Sequence, residues 1–445
     1  MGGSRAVARV SLLGGVGEIG GNKILVEDRD GRVMLDFGMS ISQRARFFSD
    51  PYVSPRRPES LLSLGIIPSV EGVYAWDEGE AKLDAVFLSH AHLDHYGYLS
   101  MLRRDVPVYC GETTERLMSA ITETRRASFE SDYRGLKYRT FKTGAALKVG
   151  SITLRPVHVD HSVPGAYGLV VETSTGAFVY TGDLRAHGRA SHLTQDFAKA
   201  AAGSGASLLL TEATNMAGGA VSSEDEVARK LEAVIREARG LVMASFSGMD
   251  TDRLTSFYLA AAASDRKLAV TMRQAHLLAT LDGGRIDGLP RLGKGNLVIY
   301  RRNKKRYEKW EEEVSGKAEV VTSGEITASP RSYVVATSLS DMEGLVGVKP
   351  PPGSVYILSS SEPYNEEMEL DQQRLVEWLD YYGMPLYHIH VSGHIMPQEL
   401  RSLVSKIGAR RVAPIHTEHP ELFLKFALED RGSGILPVAN QWLEV

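Results

Sequence analysis

The stretch Ala85-Val86-Phe87-Leu88-Ser89-His90-Ala91-His92-Leu93-Asp94-His95 joins an apolar run to three imidazoles and a carboxylate. The run reads as a buried strand, and the polar groups sit where it ends. Imidazole nitrogen and carboxylate oxygen are the ligand set that zinc favours. As core packing these four side chains make little sense, because each needs its own partner once buried. The spacing predicts two metal ions. His90 and His92 point the same way on an extended turn, while Asp94 and His95 fall on the next turn and reach a second ion. The alternative, a His- and Asp-rich surface loop, does not explain why the groups follow a strand.

Four more places repeat the pattern of His or Asp after a β run: His158-Val159-Asp160-His161, Gly182-Asp183, His390-Val391-Ser392-Gly393-His394 and His416-Thr417-Glu418-His419. One such His is most simply a structural residue. Several at strand ends can converge on one edge of a sheet. Candidate strands before residue 207 are 7–13, 23–26, 33–37, 85–88, 152–157, 167–172 and 178–181, broken by Gly, Asp and Asn. From 207 onward strands and helices alternate, as in an α/β layer. Ser223 and Glu226 have the spacing of a helix start, with Val227, Leu231, Val234 and Ile235 on one face. The glycines Gly14, Gly15, Gly17 and Gly20 do not precede a long amphipathic helix, so a dinucleotide fingerprint is rejected.

The chain has 445 residues, 24% of them charged, and a formal net charge of −4, so a generally basic nucleic-acid coat is excluded. A local basic groove is not, because steering depends on where charge sits. The cluster Arg301-Arg302 with Lys304-Lys305-Arg306, followed by Glu311-Glu312-Glu313, reads as a solvated, charge-laced helix. Cys110 is the sole cysteine, so no internal disulfide forms. No apolar run reaches the ~20 residues that span a bilayer. The expectation is a cytoplasmic protein with no membrane partner.

The ordered set His90-Ala91-His92-Leu93-Asp94-His95, His161, Asp183 and His416 resembles the metal motifs of the metallo-β-lactamase fold. Thr211-Glu212-Ala213-Thr214-Asn215, Ser392-Gly393-His394 and Pro414-Ile415-His416 resemble the added motifs of the β-CASP nucleases, which include ribonuclease J and the cleavage-and-polyadenylation endonuclease. The stretches 159–166 and 390–394 look most like ribonuclease J, in its compact archaeal-type form.

The resemblance implies an αββα sandwich with an inserted β-CASP α/β domain: residues 1–206 and 381–445 form the metallo-β-lactamase part and 207–380 the insertion. It implies one zinc on His90, His92 and His161, a second on Asp94, His95 and His416, and Asp183 bridging them. Manganese stays open as the alternative metal. A metal-bridging hydroxide would be the nucleophile, with His394 as general acid oriented by Glu212. Asp94 and Asp183 count among the catalytic residues. His390, Ser392, Gly393 and Ser360 would hold a 5′-phosphate.

The expected substrate is RNA, because RNA-acting relatives carry His where His416 stands, and the inserted segment suits a lid over a groove for a single strand. The expected reaction is 5′-3′ exonucleolytic hydrolysis preferring 5′-monophosphorylated RNA, with endonuclease action and a homodimer left open. Rival readings are a small-molecule hydrolase of lactonase or thioesterase type, a DNA nuclease of the same fold, and a non-catalytic scaffold subunit.

Overall fold

The computed structural model describes residues 7–50, 52–218, 222–282, 286–363, 366–428 and 433–445. The chain divides into two compact units. The first comprises Met1–Ala186, Ala190–Gly219 and Gly393–Val445, and the second His187–Arg189 with Ala220–Ser392.

Two sheets build the first unit. One has seven strands in the order Trp442–Glu444, Arg9–Gly14, Lys23–Asp28, Gly31–Leu35, Ala85–Phe87, Pro107–Gly111, Lys137–Phe141. The other has six, in the order Arg411–Ile415, Leu208–Glu212, Ala177–Tyr180, Ala166–Glu172, Ile152–Val159, Leu147–Val149. Side chains alternate across each strand, and the alternation explains the layers. Val10 and Leu12, Ile24 and Val26, Val33 and Leu35 on the first sheet meet Leu169 and Val171, Phe178 and Tyr180, Leu208 and Leu210 on the second in one core. The intervening Val170, Val179 and Leu209 face the other way. They pack on Phe197 and Ala201 of the helix Ser191–Ala202, Leu400 and Val404 of Pro397–Ile407, and Phe423 of Pro420–Ala427. Helix Glu112–Thr124 packs on the strands Pro107–Gly111 and Lys137–Phe141 of the first sheet. This is the expected αββα sandwich.

The second unit holds a seven-stranded sheet, ordered Val320–Val321, Leu297–Tyr300, Lys267–Thr271, Tyr333–Ala336, Val242–Ser245, Val355–Leu358, Leu386–His388. Every pairing in it is parallel. The chain runs to one side of Val242–Ser245 first and later returns on the other, so the strand order reverses there. At such a point the loops at the carboxyl ends of adjacent strands diverge and leave a crevice. Ser223 Oγ accepts the Glu226 N–H at 3.2 Å and starts the helix Glu224–Glu237, as the spacing predicted.

Before residue 207 three strands escaped the sequence reading: Pro107–Gly111, Lys137–Phe141 and Leu147–Val149. Proline opens one, and Lys137 and Arg139 load another with charge. The charged cluster is corrected too. Arg301–Arg306 lies outside any helix, and the helix there is only Lys309–Ser315, begun where Glu311 accepts the Glu308 N–H at 3.0 Å. Among the described residues no helix is long and apolar enough to cross a membrane.

Candidate metal centre

Five metal-competent side chains leave strand ends in the first unit, while His92 precedes and Asp94 and His95 lie on the short helix Leu93–Tyr96. His90 follows Ala85–Phe87, His161 follows Ile152–Val159, Asp183 follows Ala177–Tyr180, Glu212 ends Leu208–Glu212, and His416 follows Arg411–Ile415. The last three strands are parallel neighbours, so their carboxyl ends share one edge. His416 and Asp36 both adopt positive φ, 54° and 57°, a region non-glycine residues rarely enter and that clusters at functional sites.

Ligand atoms fall into two groups that share Asp183: His90, His92, His161 and Asp183, then Asp94, His95, Asp183 and His416. In the first, His92 Nδ1 lies 3.1 Å from both His90 Nε2 and His161 Nε2. Two nitrogens bound tetrahedrally to one zinc at ~2.0–2.1 Å stand roughly 3.3 Å apart, so the spacing fits an ion. In the second, Asp183 Oδ2 is 3.1 Å from His95 Nε2 and 3.5 Å from His416 Nε2, and His416 Nε2 is 3.1 Å from Asp94 Oδ2. A third group, Asp183, Glu212 and His394, adjoins them.

Partners on the far side of each ring set its tautomer. His161 Nδ1 donates to the Gly393 carbonyl at 2.7 Å, and His95 Nδ1 donates to Asp36 Oδ2 at 2.7 Å. Ser89 Oγ gives its proton to Asp36 and so accepts from His90 Nδ1 at 2.9 Å. Thr214 Oγ1 donates to Glu212 at 2.7 Å and accepts from His416 Nδ1 at 2.9 Å. Every one of these rings therefore turns its Nε2 lone pair inward.

Inward-facing lone pairs and carboxylate oxygens repel one another unless a cation lies among them. Both Asp183 oxygens and His95 Nε2 are buried and make no directed hydrogen bond among the described residues, although two of these atoms are only 3.1 Å apart. Burial at this depth without a partner costs several kcal/mol for a charged group, on the order of that for a broken buried pair. The donor set thus suits metal ions. Without one, protons carry the load unevenly. Burial and the neighbouring His95 push His90 well below its ordinary value. Burial also opposes charge on His95, yet Asp183, Asp36 and Asp94 hold it well above its ordinary value.

His394 completes the edge. Its Nδ1 lies 3.1 Å from Glu212 Oε2 and 3.7 Å from Asp183 Oδ2. Burial opposes its charge, yet Glu212 first and Asp183 second raise its pKa to about 9. Glu212 is fixed by the Leu184 N–H at 2.9 Å and by Thr214.

Sequence reading missed Asp36, which also accepts the Ser89 N–H at 2.7 Å and the Tyr180 hydroxyl at 2.5 Å. Its position after the strand Gly31–Leu35 was the available signal. The glycine turn also matters. A Cβ on Gly20 would lie 2.5 Å from Asp94 Oδ2, and the Gly15 carbonyl accepts the His416 N–H at 2.8 Å. His158 stays outside all three metal groups and stacks on Tyr167 at 4.9 Å. His419 stands at the start of the helix Pro420–Ala427, with no side-chain capping bond to it.

The candidate phosphate residues separate by unit: His390, Ser392 and Ser360 belong to the second, Gly393 to the first. Within the second unit, buried Arg253 pairs with Glu224 at 2.9 Å and donates from Nη1 to Ser359 Oγ at 2.7 Å and to His390 Nδ1 at 3.2 Å. His388 Nε2 donates to the Ser360 carbonyl at 2.8 Å.

Residues 74–214 match the family model of the beta-lactamase superfamily domain. Ribonuclease J of Helicobacter pylori strain B128 is 24% identical over 435 residues, covering 94% of this chain and 57% of that protein. Ribonuclease J of Thermus thermophilus is 28% identical over 439 residues, covering 94% and 69%. The chain thus spans little more than half the length of the Helicobacter relative. A solved protein of unknown function from Enterococcus faecalis V583 superposes with a TM-score of 0.78 at 21% identity, covering 99% of this chain and 100% of the other. Along 94% of its length the chain is thus similar in sequence to ribonuclease J, and it carries a domain of the metallo-β-lactamase fold.

Proposed function

We propose that the chain is a metal-dependent ribonuclease that hydrolyses RNA phosphodiesters from a 5′-monophosphorylated end. The observation that carries this reading is the convergence of seven ligands on two groups sharing Asp183, with the Glu212–His394 pair beside them. His90, His92 and His161 would hold one ion, Asp94, His95 and His416 the other, and Asp183 would bridge. Zinc suits the imidazole-rich donors, and manganese is the alternative. When bound, two such ions acidify water near neutral pH and polarise the phosphate.

The chain's own groups then handle the leaving oxygen. Glu212 accepts the Nδ1 proton of His394 and keeps the ring cationic, so the opposite nitrogen can give a proton to the departing 3′-oxygen. The half-buried state of His394, its side chain 20% exposed beside a buried carboxylate, suits a group that meets substrate and still feels its partner. His390, Ser392, Gly393 and Ser360 would receive the 5′-phosphate. We assign the α/β insertion, placed at 207–380 by sequence, to the β-CASP role.

The test uses metal-loaded protein and 5′-labelled RNA carrying one or three phosphates. Mononucleotide release from the monophosphorylated RNA alone is expected. Equal internal cutting of both would replace the exonuclease reading by an endonuclease one. Cleavage of a lactone or of DNA with no RNA turnover would remove the ribonuclease reading.

A further inference from the structure

We infer that Arg253 fixes His390 as the neutral tautomer with its proton on Nε2, making it an uncharged hydrogen-bond donor for the 5′-phosphate. The inference rests on the proposed 5′-phosphate role of His390 and adds a positioning residue to it.

Arginine has five N–H donors, no acceptor, and does not deprotonate in proteins. Its Nη1 stands 3.2 Å from His390 Nδ1, so this hydrogen bond forms only if Nδ1 offers a lone pair. A neutral ring accepting at Nδ1 must carry its proton on Nε2. Burial, then the Arg253 charge, disfavour a second proton and lower the ring to about 3. The other charged or titratable groups acting on the ring are His388, stacked at 6.3 Å, and Glu224.

Arg253 itself is fully buried, and its charge is matched by Glu224, which is 1% exposed. It gains nothing from water and is anchored on four sides: Glu224, the Ser359 hydroxyl and carbonyl, and the Val391 carbonyl. Ser359 in turn donates to the Ile389 carbonyl at 2.5 Å. The network thus ties the helix Thr251–Ala263 to the loops after Val355–Leu358 and Leu386–His388, at the carboxyl edge of the parallel sheet where strand order reverses. That edge is where open α/β sheets bind ligands. With the ion pair internally neutral, the network supplies a directed donor and no net charge.

One competitor exists. The Ser359 backbone also acts on the His390 ring and favours a ring proton, and a proton on Nδ1 would leave Arg253 facing it. Nitrogen-15 NMR of the full protein with labelled histidine separates the two. The expected wild-type spectrum has His390 neutral and protonated on Nε2 from pH 5 to 8. In Arg253→Lys, a shorter side chain with three N–H donors replaces the five that serve Glu224, Ser359, Val391 and His390, so the ring should lose that fixed tautomer. The preference for 5′-monophosphate over 5′-hydroxyl RNA, read as KM, should fall about tenfold, the loss of one oriented hydrogen bond.

A wild-type Nδ1–H ring, or one that titrates near 6.5, overturns the inference. So does an Arg253→Lys protein with altered tautomer and unchanged KM preference. Should that variant not fold, the wild-type spectrum decides. His390→Ala with undiminished preference would refute the phosphate reading itself, independently of the tautomer.

Discussion

Glu212→Gln removes one charge from the edge of the metal centre and leaves the shape nearly intact. In the wild type Glu212 Oε2 stands 3.1 Å from His394 Nδ1, and the histidine titrates at about 9. Relative to an ordinary ~6.5 this rise corresponds to roughly 3 kcal/mol. A unit charge pair at that distance is worth about 5 kcal/mol at an effective dielectric of ~20, enough to account for the rise against burial. A cation held by Asp183 would offset that carboxylate's share, which leaves Glu212 as the main support. Gln keeps the oxygen that accepts the Leu184 N–H but cannot hold the proton, so the ring falls to ~6.5 or below.

The sign follows. Protonated His394 is present below the folded pKa and is lost as pH rises through it, near 9 in the wild type and near 6.5 in the variant. At pH 8 the protonated fraction drops about thirtyfold, whereas at pH 6 it changes less than about twofold. The assay is single-turnover cleavage of 5′-monophosphorylated RNA from pH 6 to 9, with metal equivalents and thermal midpoint measured on the same samples. A variant-to-wild-type ratio that stays flat with pH would refute the proton-donor reasoning. Loss of a metal equivalent would place Glu212 and His394 among the ligands instead, consistent with the third donor group.

Asp36→Asn should weaken metal binding about 10- to 100-fold while the fold persists, because Asp36 orients His95 through a 2.7 Å hydrogen bond; titration against a competing chelator reads this, and unchanged affinity would argue against it. Gly38→Ala would place a Cβ 1.6 Å from the Asp94 carbonyl oxygen. The helix bearing Asp94 and His95 must shift, at a cost of about 1–3 kcal/mol or more, visible as a lower denaturation midpoint and weaker metal binding. Burial, helped by His192, lowers His158 to about 4. Between an ordinary ~6.5 and that value the unfolded chain binds the extra proton, so stability falls as pH drops through this window, by at most about 3 kcal/mol. His158→Phe, which keeps the stack on Tyr167, should flatten that part of the slope, and an identical slope would refute it.

Local chemistry made much of this legible in the sequence. Short continuous apolar runs such as those around residues 167–172 and 178–181 found their strands, since a strand covered on both faces is apolar throughout. Histidine and aspartate after those runs marked the metal groups, because a strand end is the place where a buried layer can expose polar ligands to one edge. Asp36 escaped because one aspartate after a strand carries no signal until His95, fifty-nine residues later, is seen against it. Gly38 and Arg253 escaped for the same reason.

By itself, then, the sequence determined the candidate ligand types, their order and the α/β character of the chain. Which nitrogen of each ring faces inward was decided only by tertiary structure. That choice depends on carbonyls, hydroxyls and carboxylates brought from distant strands: Gly393 to His161, Thr214 to His416, Arg253 to His390. A histidine in isolation has two nearly equivalent tautomers, and only a fixed partner on one nitrogen makes the other a ligand or a donor.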